Sequence, residues 1–233
     1  GILEIEEVLI MERIFAGEIY DIVPQPGGII FSYCRGASEN KVAVFYKMYS
    51  LESNTTDDVT NSVYLISKFG SNYHAAASLC RNYVTAKSVI FPNGRVFVCS
   101  DSGDASLLDG NNSVIWSGEF KYRNNAPCGI AVYKNSLWSC FANNGVLIRF
   151  GLSTMREELR IGGTAHSPFD RPYDIFIDGD TAVVSNVGSR KLIRVDLENY
   201  TVEEMHEFSE SVYSYVKIKE SEFVLLESGI YKL

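Results

Sequence analysis

Pro127-Cys128-Gly129-Ile130-Ala131-Val132 and Pro172-Tyr173-Asp174-Ile175-Phe176-Ile177 open two copies of one unit. A polar turn follows each, Tyr133-Lys134-Asn135 or Asp178-Gly179-Asp180. Next comes a second apolar run, Ser136-Leu137-Trp138-Ser139-Cys140 or Thr181-Ala182-Val183-Val184-Ser185. A third run stands at the same distance in both, Leu147-Ile148-Arg149-Phe150-Gly151-Leu152 against Leu192-Ile193-Arg194-Val195-Asp196-Leu197. Extended apolar runs joined by short Gly/Asn/Asp turns are the pattern of β-hairpins.

Three further copies fall into this register. They open at Tyr20-Asp21-Ile22-Val23, at Ala86-Lys87-Ser88-Val89-Ile90-Phe91 and at Tyr213-Ser214-Tyr215-Val216-Lys217-Ile218. The five anchors, 20, 86, 128, 173 and 213, recur at the roughly 40–45-residue period of four-stranded propeller blades, the first interval being the longest. Runs 63–69, 114–120 and 202–208 stand just before the next anchor and read as fourth strands, and so does 8–15 before the first. The chain ends at Gly229-Ile230-Tyr231-Lys232-Leu233, which matches a third strand and leaves its blade one strand short. The expected fold is therefore all-β: a single five-bladed β-propeller over residues 1–233, four antiparallel strands per blade, with residues 8–15 completing the last blade so that no radial edge stays open. The polar stretch 50–62 reads as a structureless hairpin tip between third and fourth strands of the first blade. Tyr73 to Leu79, with three consecutive alanines, has room for one or two helical turns.

Composition narrows the function classes. A chain of 233 residues buries roughly 70–75% of its unfolded surface, enough for a self-sufficient core. Hydrophobic residues at 46% and charged residues at 21% exclude a disordered or fibrous chain. Twenty-nine acidic against 21 basic residues give a net charge of −8, the wrong sign for a nucleic-acid partner. Apolar runs are too short for membrane insertion. No basic and apolar leader opens the sequence, and five cysteines is an odd count, so the expected location is cytoplasmic. Cys34, Cys99 and Cys140 end second strands of different blades. That placement predicts buried space-filling thiols rather than disulfides.

The runs Pro-x-Gly-Ile-Ala-Val at 127–132 and Leu-Ile-Arg-Phe-x-Leu at 147–152 resemble the NHL and YVTN-type propeller superfamily, over residues 126–197. The resemblance is one of blade chemistry and implies the propeller repeat.

In a propeller, the loops from fourth to next first strand and from second to third strand crowd one mouth of the central channel. The first class here holds His74, Arg123, His166 and Arg171. The second holds residues 35–40, Asp101, Asn143, Asn186 and Arg190. These eight named residues, with Tyr20, Tyr73, Tyr122, Tyr173 and Tyr213 nearby, are the candidate ligand-binding set. On the inner strands, Asp21 and Asp174 stand at equivalent positions, with Lys87, Gly129 and Ser214 as counterparts. Two carboxyls facing one bond can serve a glycosidase, with His166 a further catalytic candidate. Together with Asn186 and Asp101 they can also hold a divalent cation. No dedicated metal site is read from the sequence, and cofactors are expected to be absent unless that cation is one. Gly-x-Ser-x-Gly, His-Glu-x-x-His and Cys-x-x-Cys motifs are missing. Asp101-Ser102-Gly103-Asp104 lacks the glycine and distal glutamate of an EF-hand calcium loop and reads as a turn, and His206 among Glu203, Glu204 and Glu207 reads as a charged outer edge.

The expectation that follows is a non-catalytic binding or scaffold module that takes a small polar ligand or a protein on its loop face. The alternative is a glycosidase-like or metal-dependent lactonase-like hydrolase working through Asp21, Asp174 and a histidine, such as His166, or a metal in the channel.

Overall fold

A computed structural model of the chain describes residues 9–35 and 43–233. Strand β1 (Glu12–Ala16) comes first. Blade 1 follows as β2 (Ile19–Gln25), β3 (Gly28–Cys34), β4 (Val44–Ser50) and β5 (Thr55–Asp58). Two helices, α1 (Asn61–Phe69) and α2 (Tyr73–Ser78), then lead to blade 2: β6 (Lys87–Ile90), β7 (Val96–Cys99), β8 (Asp104–Leu108) and β9 (Val114–Glu119). Blade 3 is β10 (Gly129–Tyr133), β11 (Ser136–Phe141), β12 (Val146–Gly151) and β13 (Glu157–Gly162). Blade 4 is β14 (Pro172–Asp178), β15 (Thr181–Asn186), β16 (Lys191–Asp196) and β17 (Val202–Glu207). Blade 5 has β18 (Val212–Ile218), β19 (Ser221–Leu226) and β20 (Gly229–Lys232), and β1 supplies its outer strand in the order β1-β20-β19-β18. The fold is thus the expected five-bladed propeller of antiparallel four-stranded sheets, closed by the N-terminal strand.

The inner hairpins explain the repeat. In blades 1, 3, 4 and 5 a two-residue turn separates the last pair, Gln25↔Gly28, Tyr133↔Ser136, Asp178↔Thr181 and Ile218↔Ser221. Lys134, Gly179 and Lys219 take positive φ at the first turn residue, as a twist-matched hairpin turn requires. Between blades, the inward side chains of adjacent sheets mesh into separate clusters. Phe31, Tyr49, Val216 and Phe223 join blades 1 and 5; Phe97, Phe141 and Ile148 join blades 2 and 3; Trp138, Val184 and Ile193 join blades 3 and 4.

Two expectations for the first interval are overturned. Residues 63–69 form helix α1, not a fourth strand, and the fourth strand is β5, inside the stretch 50–62 that was expected to be structureless. Thr60 caps α1, its hydroxyl accepting from the Val63 amide at 3.4 Å, and Gly70 ends it with φ +88° and an amide bonded to Ile66 O at 2.8 Å. Tyr64, Leu65, Lys68 and Phe69 form the buried stripe at helical spacing. That stripe meets Ile30, Tyr46, Val96, Val98 and Leu108, so α1 works as a wedge between blades 1 and 2. The closing strand starts at Glu12 and runs to Ala16 rather than 8–15; of that earlier range, Val8 lies outside the described residues. Cys99 and Cys140 are buried, but Cys34 is only half-buried, because it stands at the last residue of β3 where the sheet opens; all five thiols are free.

Candidate functional site

The channel wall is built by register. Asp21 pairs Ser32, Lys87 pairs Cys99, Gly129 pairs Cys140, Asp174 pairs Ser185 and Ser214 pairs Leu225, so these five inner-strand residues occupy one level of the ring. Asp174 Oδ2 accepts from Ser214 Oγ at 2.6 Å and Oδ1 from the Ile175 amide at 2.9 Å. Gly129 makes the room: a Cβ there would lie 2.7 Å from both the Cα and Oδ1 of Asp174. The Lys87 ammonium lies 5.7 Å from the centre of the Tyr173 ring and makes no hydrogen bond to a described side chain or carbonyl. Burial pulls the Lys87 amine down, but the carboxylates of Asp174 and then Asp21 outweigh it and hold it above the ordinary lysine value. Burial pushes the Asp174 carboxyl up, and the opposing pull of Lys87 does not fully cancel it.

Asp21 is held differently. Lys68 reaches from α1 to place Nζ 2.8 Å from Asp21 Oδ2, 2.9 Å from Val84 O and 3.2 Å from the Tyr64 hydroxyl. Tyr64 also donates to Asp21 Oδ2 at 2.8 Å. Burial alone would raise the Asp21 carboxyl; the ammonium groups of Lys68 and Lys87 overcome it and leave the acid below its ordinary value. Burial depresses the Lys68 amine, and the Asp21 carboxylate offsets only part of that.

One mouth of the channel opens into a cavity of about 850 Å³. Its floor includes Lys87. Its walls carry Tyr20, Tyr173 and Tyr213, the amides Asn124, Asn125 and Asn143, and the carboxylates Glu18, Asp101 and Glu227. Tyr173 and Tyr213 meet edge to face, with centroids 5.3 Å apart. Below the ring a second cavity, about 430 Å³, has Asp21, Lys68, Lys87 and Asp174 in its wall among aliphatic residues. Lys87 belongs to both and stands between them.

The expected binding set divides. Asp101 and Asn143 share the mouth cavity, and Arg123 is the neighbour of Asn124, its guanidinium 5.3 Å over the Tyr122 ring. His74 lies on α2 against Tyr73, and His166 and Arg171 are exposed; none of the three is in the cavity wall. Arg190 bonds Ser209 O at 3.3 Å and sits 3.7 Å from Glu207. Asn186 is fully buried, donating to Val184 O and Lys191 O and accepting from the Asp170 amide, which makes it a pin for the loops around β15. Of candidate loop 35–40, only Arg35 is among the described residues. Among the described residues no group of three or more His, Cys, Asp or Glu converges as a metal site would need. Lys68 was not legible as a site residue because its helix reads as a strand. Glu227 was missed because the short turn it shares with Ser228 carries no loop composition.

No family model matches the chain, and no curated protein matches it. Solved structures share its shape. Sqt1 of Saccharomyces cerevisiae superposes with a TM-score of 0.55 at 10% identity, over 92% of this chain and 71% of that one. Hydrazine synthase of Kuenenia stuttgartiensis gives 0.50 at 18% identity, over 60% of this chain and 41% of that one, so the chain spans about two fifths of it. Both are propeller proteins, and at these identities the likeness is one of fold alone. Among the described residues no helix is long and apolar enough to cross a membrane.

Proposed function

We propose that the chain is a binding module whose ligand, a small polar molecule, sits in the mouth cavity above Lys87. The observation that carries this reading is the cavity itself. At about 850 Å³ it lies within the ~300–1,000 Å³ range of small-molecule sites, and three tyrosines, three amides and three carboxylates converge on it. A fold in which five inner strands meet at one axis supports such convergence. The Pro-x-Gly-Ile-Ala-Val run supports assigning the blades to the NHL type. A protein held by the same loop face is the other form of this reading. Thermal-shift screening of small polar metabolites, followed by calorimetry, tests it. A ligand should raise the melting temperature, and Asp101→Ala and Lys87→Met should each weaken it. Stabilisation that both variants leave untouched sinks the cavity as the site.

Hydrolysis is the second reading, and one observation favours it: two channel carboxyls are displaced in opposite directions, Asp21 down and Asp174 up, as an acid and a base require. Against it stands the Asp21–Lys68 ion pair, which already occupies that carboxylate. Turnover of aryl glycosides or lactones that is lost in Asp174→Asn would favour the enzyme.

A further inference from the structure

The cavity lining restricts the chemistry of what it can hold. Lys87 at the floor presents only donors. Asp101, Glu18 and Glu227 present only acceptors, and the amides of Asn124 and Asn143 present both. Among the described residues, no Lys, Arg or His forms an ion pair with any of the three carboxylates; Asp101 accepts only from the Thr85 hydroxyl, at 3.2 Å. A carboxylate or phosphate reaching for Lys87 must pass three like charges at the rim. An alkylammonium drawn by the rim meets the Lys87 ammonium at the floor. A hydroxyl is donor and acceptor at once, so a ligand bearing a row of them satisfies lysine, amide and carboxylate in any order.

The aromatic wall supplies the other half. Tyr173 is 39% exposed at the channel mouth, meets Tyr213 edge to face, and has the Lys87 ammonium 5.7 Å from its ring centre. A ligand that stacks there needs an apolar face as well as polar edges. A pyranose has both, its C–H bonds on one face and its hydroxyls around the rim. Resting on the cavity-binding reading above, we propose that the mouth cavity is a site for a neutral carbohydrate of two or three sugar units, with Tyr173 as the stacking platform and Lys87, Asp101 and Asn143 as hydroxyl partners.

Calorimetric titration with neutral di- and trisaccharides of gluco, galacto, manno, xylo and N-acetylglucosamine type tests this. At least one should bind saturably, with a Kd that changes by less than about twofold between low and high salt, because screening acts on charges and the ligand has none. Tyr173→Ala should weaken it about tenfold or more while circular dichroism shows the fold retained, Tyr173→Phe should keep it, and Asn143→Ala should weaken it independently. Saccharide binding indifferent to both alanine variants overturns the proposal, since the sugar then sits elsewhere. Salt-sensitive binding of charged molecules only, lost in Tyr173→Ala, overturns the carbohydrate class while leaving the cavity-binding reading in place. Failure of every small molecule, charged or neutral, overturns both.

Discussion

At the scale of single residues, the channel shows why one buried charge cannot be judged alone. Lys68 and Asp21 are 5% and 19% exposed at their side chains, and each holds the other in place. Lys68→Met leaves the Asp21 carboxylate desolvated without its nearest cation, which costs on the order of 3–5 kcal/mol. Adding Asp21→Asn to that variant should recover much of the loss, and chemical denaturation of the four-member cycle reads the coupling. The two acids also give opposite pH signatures. The folded pKa of Asp21 lies below its ordinary 3.8, so its contribution is present above that value and is lost as the pH falls through the folded pKa. That of Asp174 is raised above 3.8, so its contribution is present below that value and is lost as the pH rises through the folded pKa. Relative to the native chain, Asp174→Asn should therefore gain stability as the pH rises above 3.8, and Asp21→Asn should lose stability as the pH rises toward 3.8 from below. Parallel curves for the two variants would contradict the assignment of their environments.

At the scale of elements, α1 marks where sequence reasoning stops. The blade hairpins were legible because the turns of blades 1 to 4 carry Gly, Asn or Asp at fixed offsets and the strands recur within the period. Residues 63–69 offer two readings. Val63, Leu65 and Phe69 fit a period of two, while Tyr64, Leu65, Lys68 and Phe69 fit a helical stripe, and a seven-residue run does not separate them. The deciding signal was the cap, Thr60 before Asn61-Ser62, together with Gly70 after the run. The same ambiguity hid Lys68, whereas the ring of Asp21, Lys87, Gly129, Asp174 and Ser214 was legible from register alone. The cavity wall was half legible: loop order supplies Asp101 and Asn143, but burial of Asn186 and the outward course of His74 and His166 depend on side-chain directions that a pattern does not carry. The helix makes a test that the strand would fail. Val63 is 39% exposed and Leu65 is 6% exposed, although period two puts them on one face. Val63→Ser should change stability by less than about 0.5 kcal/mol, and Leu65→Ser by more than about 2 kcal/mol, with denaturant midpoints as the measure. Comparable losses at both positions would restore the strand.

At the scale of the whole molecule, five sheets form a ring only if the last one finds its outer strand, and β1 brings it from the other end of the chain. Glu12, Arg13, Phe15 and Ala16 pair Lys232, Tyr231, Ile230 and Gly229, with a bulge between Arg13 and Phe15. Phe15 then packs on Phe31 and Tyr33, so the strand that closes blade 5 also covers the seam with blade 1. Gly229 is the contact that permits this approach. Its φ is +149°, and a Cβ there would lie 2.0 Å from the carbonyl oxygen of Phe15. That oxygen belongs to backbone and cannot swing aside, so Gly229→Ala must push β1 off β20. The overpacking costs about 1–3 kcal/mol, and the left-handed φ adds strain. For a chain of this size each kcal/mol lowers the melting temperature by about 2–4 °C. A general loss of stability would give the same shift, so the location of the damage has to be read as well. With β1 displaced, trypsin should cut after Arg13 under conditions in which the native chain resists, before any cut in blades 3 and 4. An unchanged melting temperature with Arg13 readily cut would mean that the ring does not depend on this strand, and that blade 5 stands as three strands with an edge exposed.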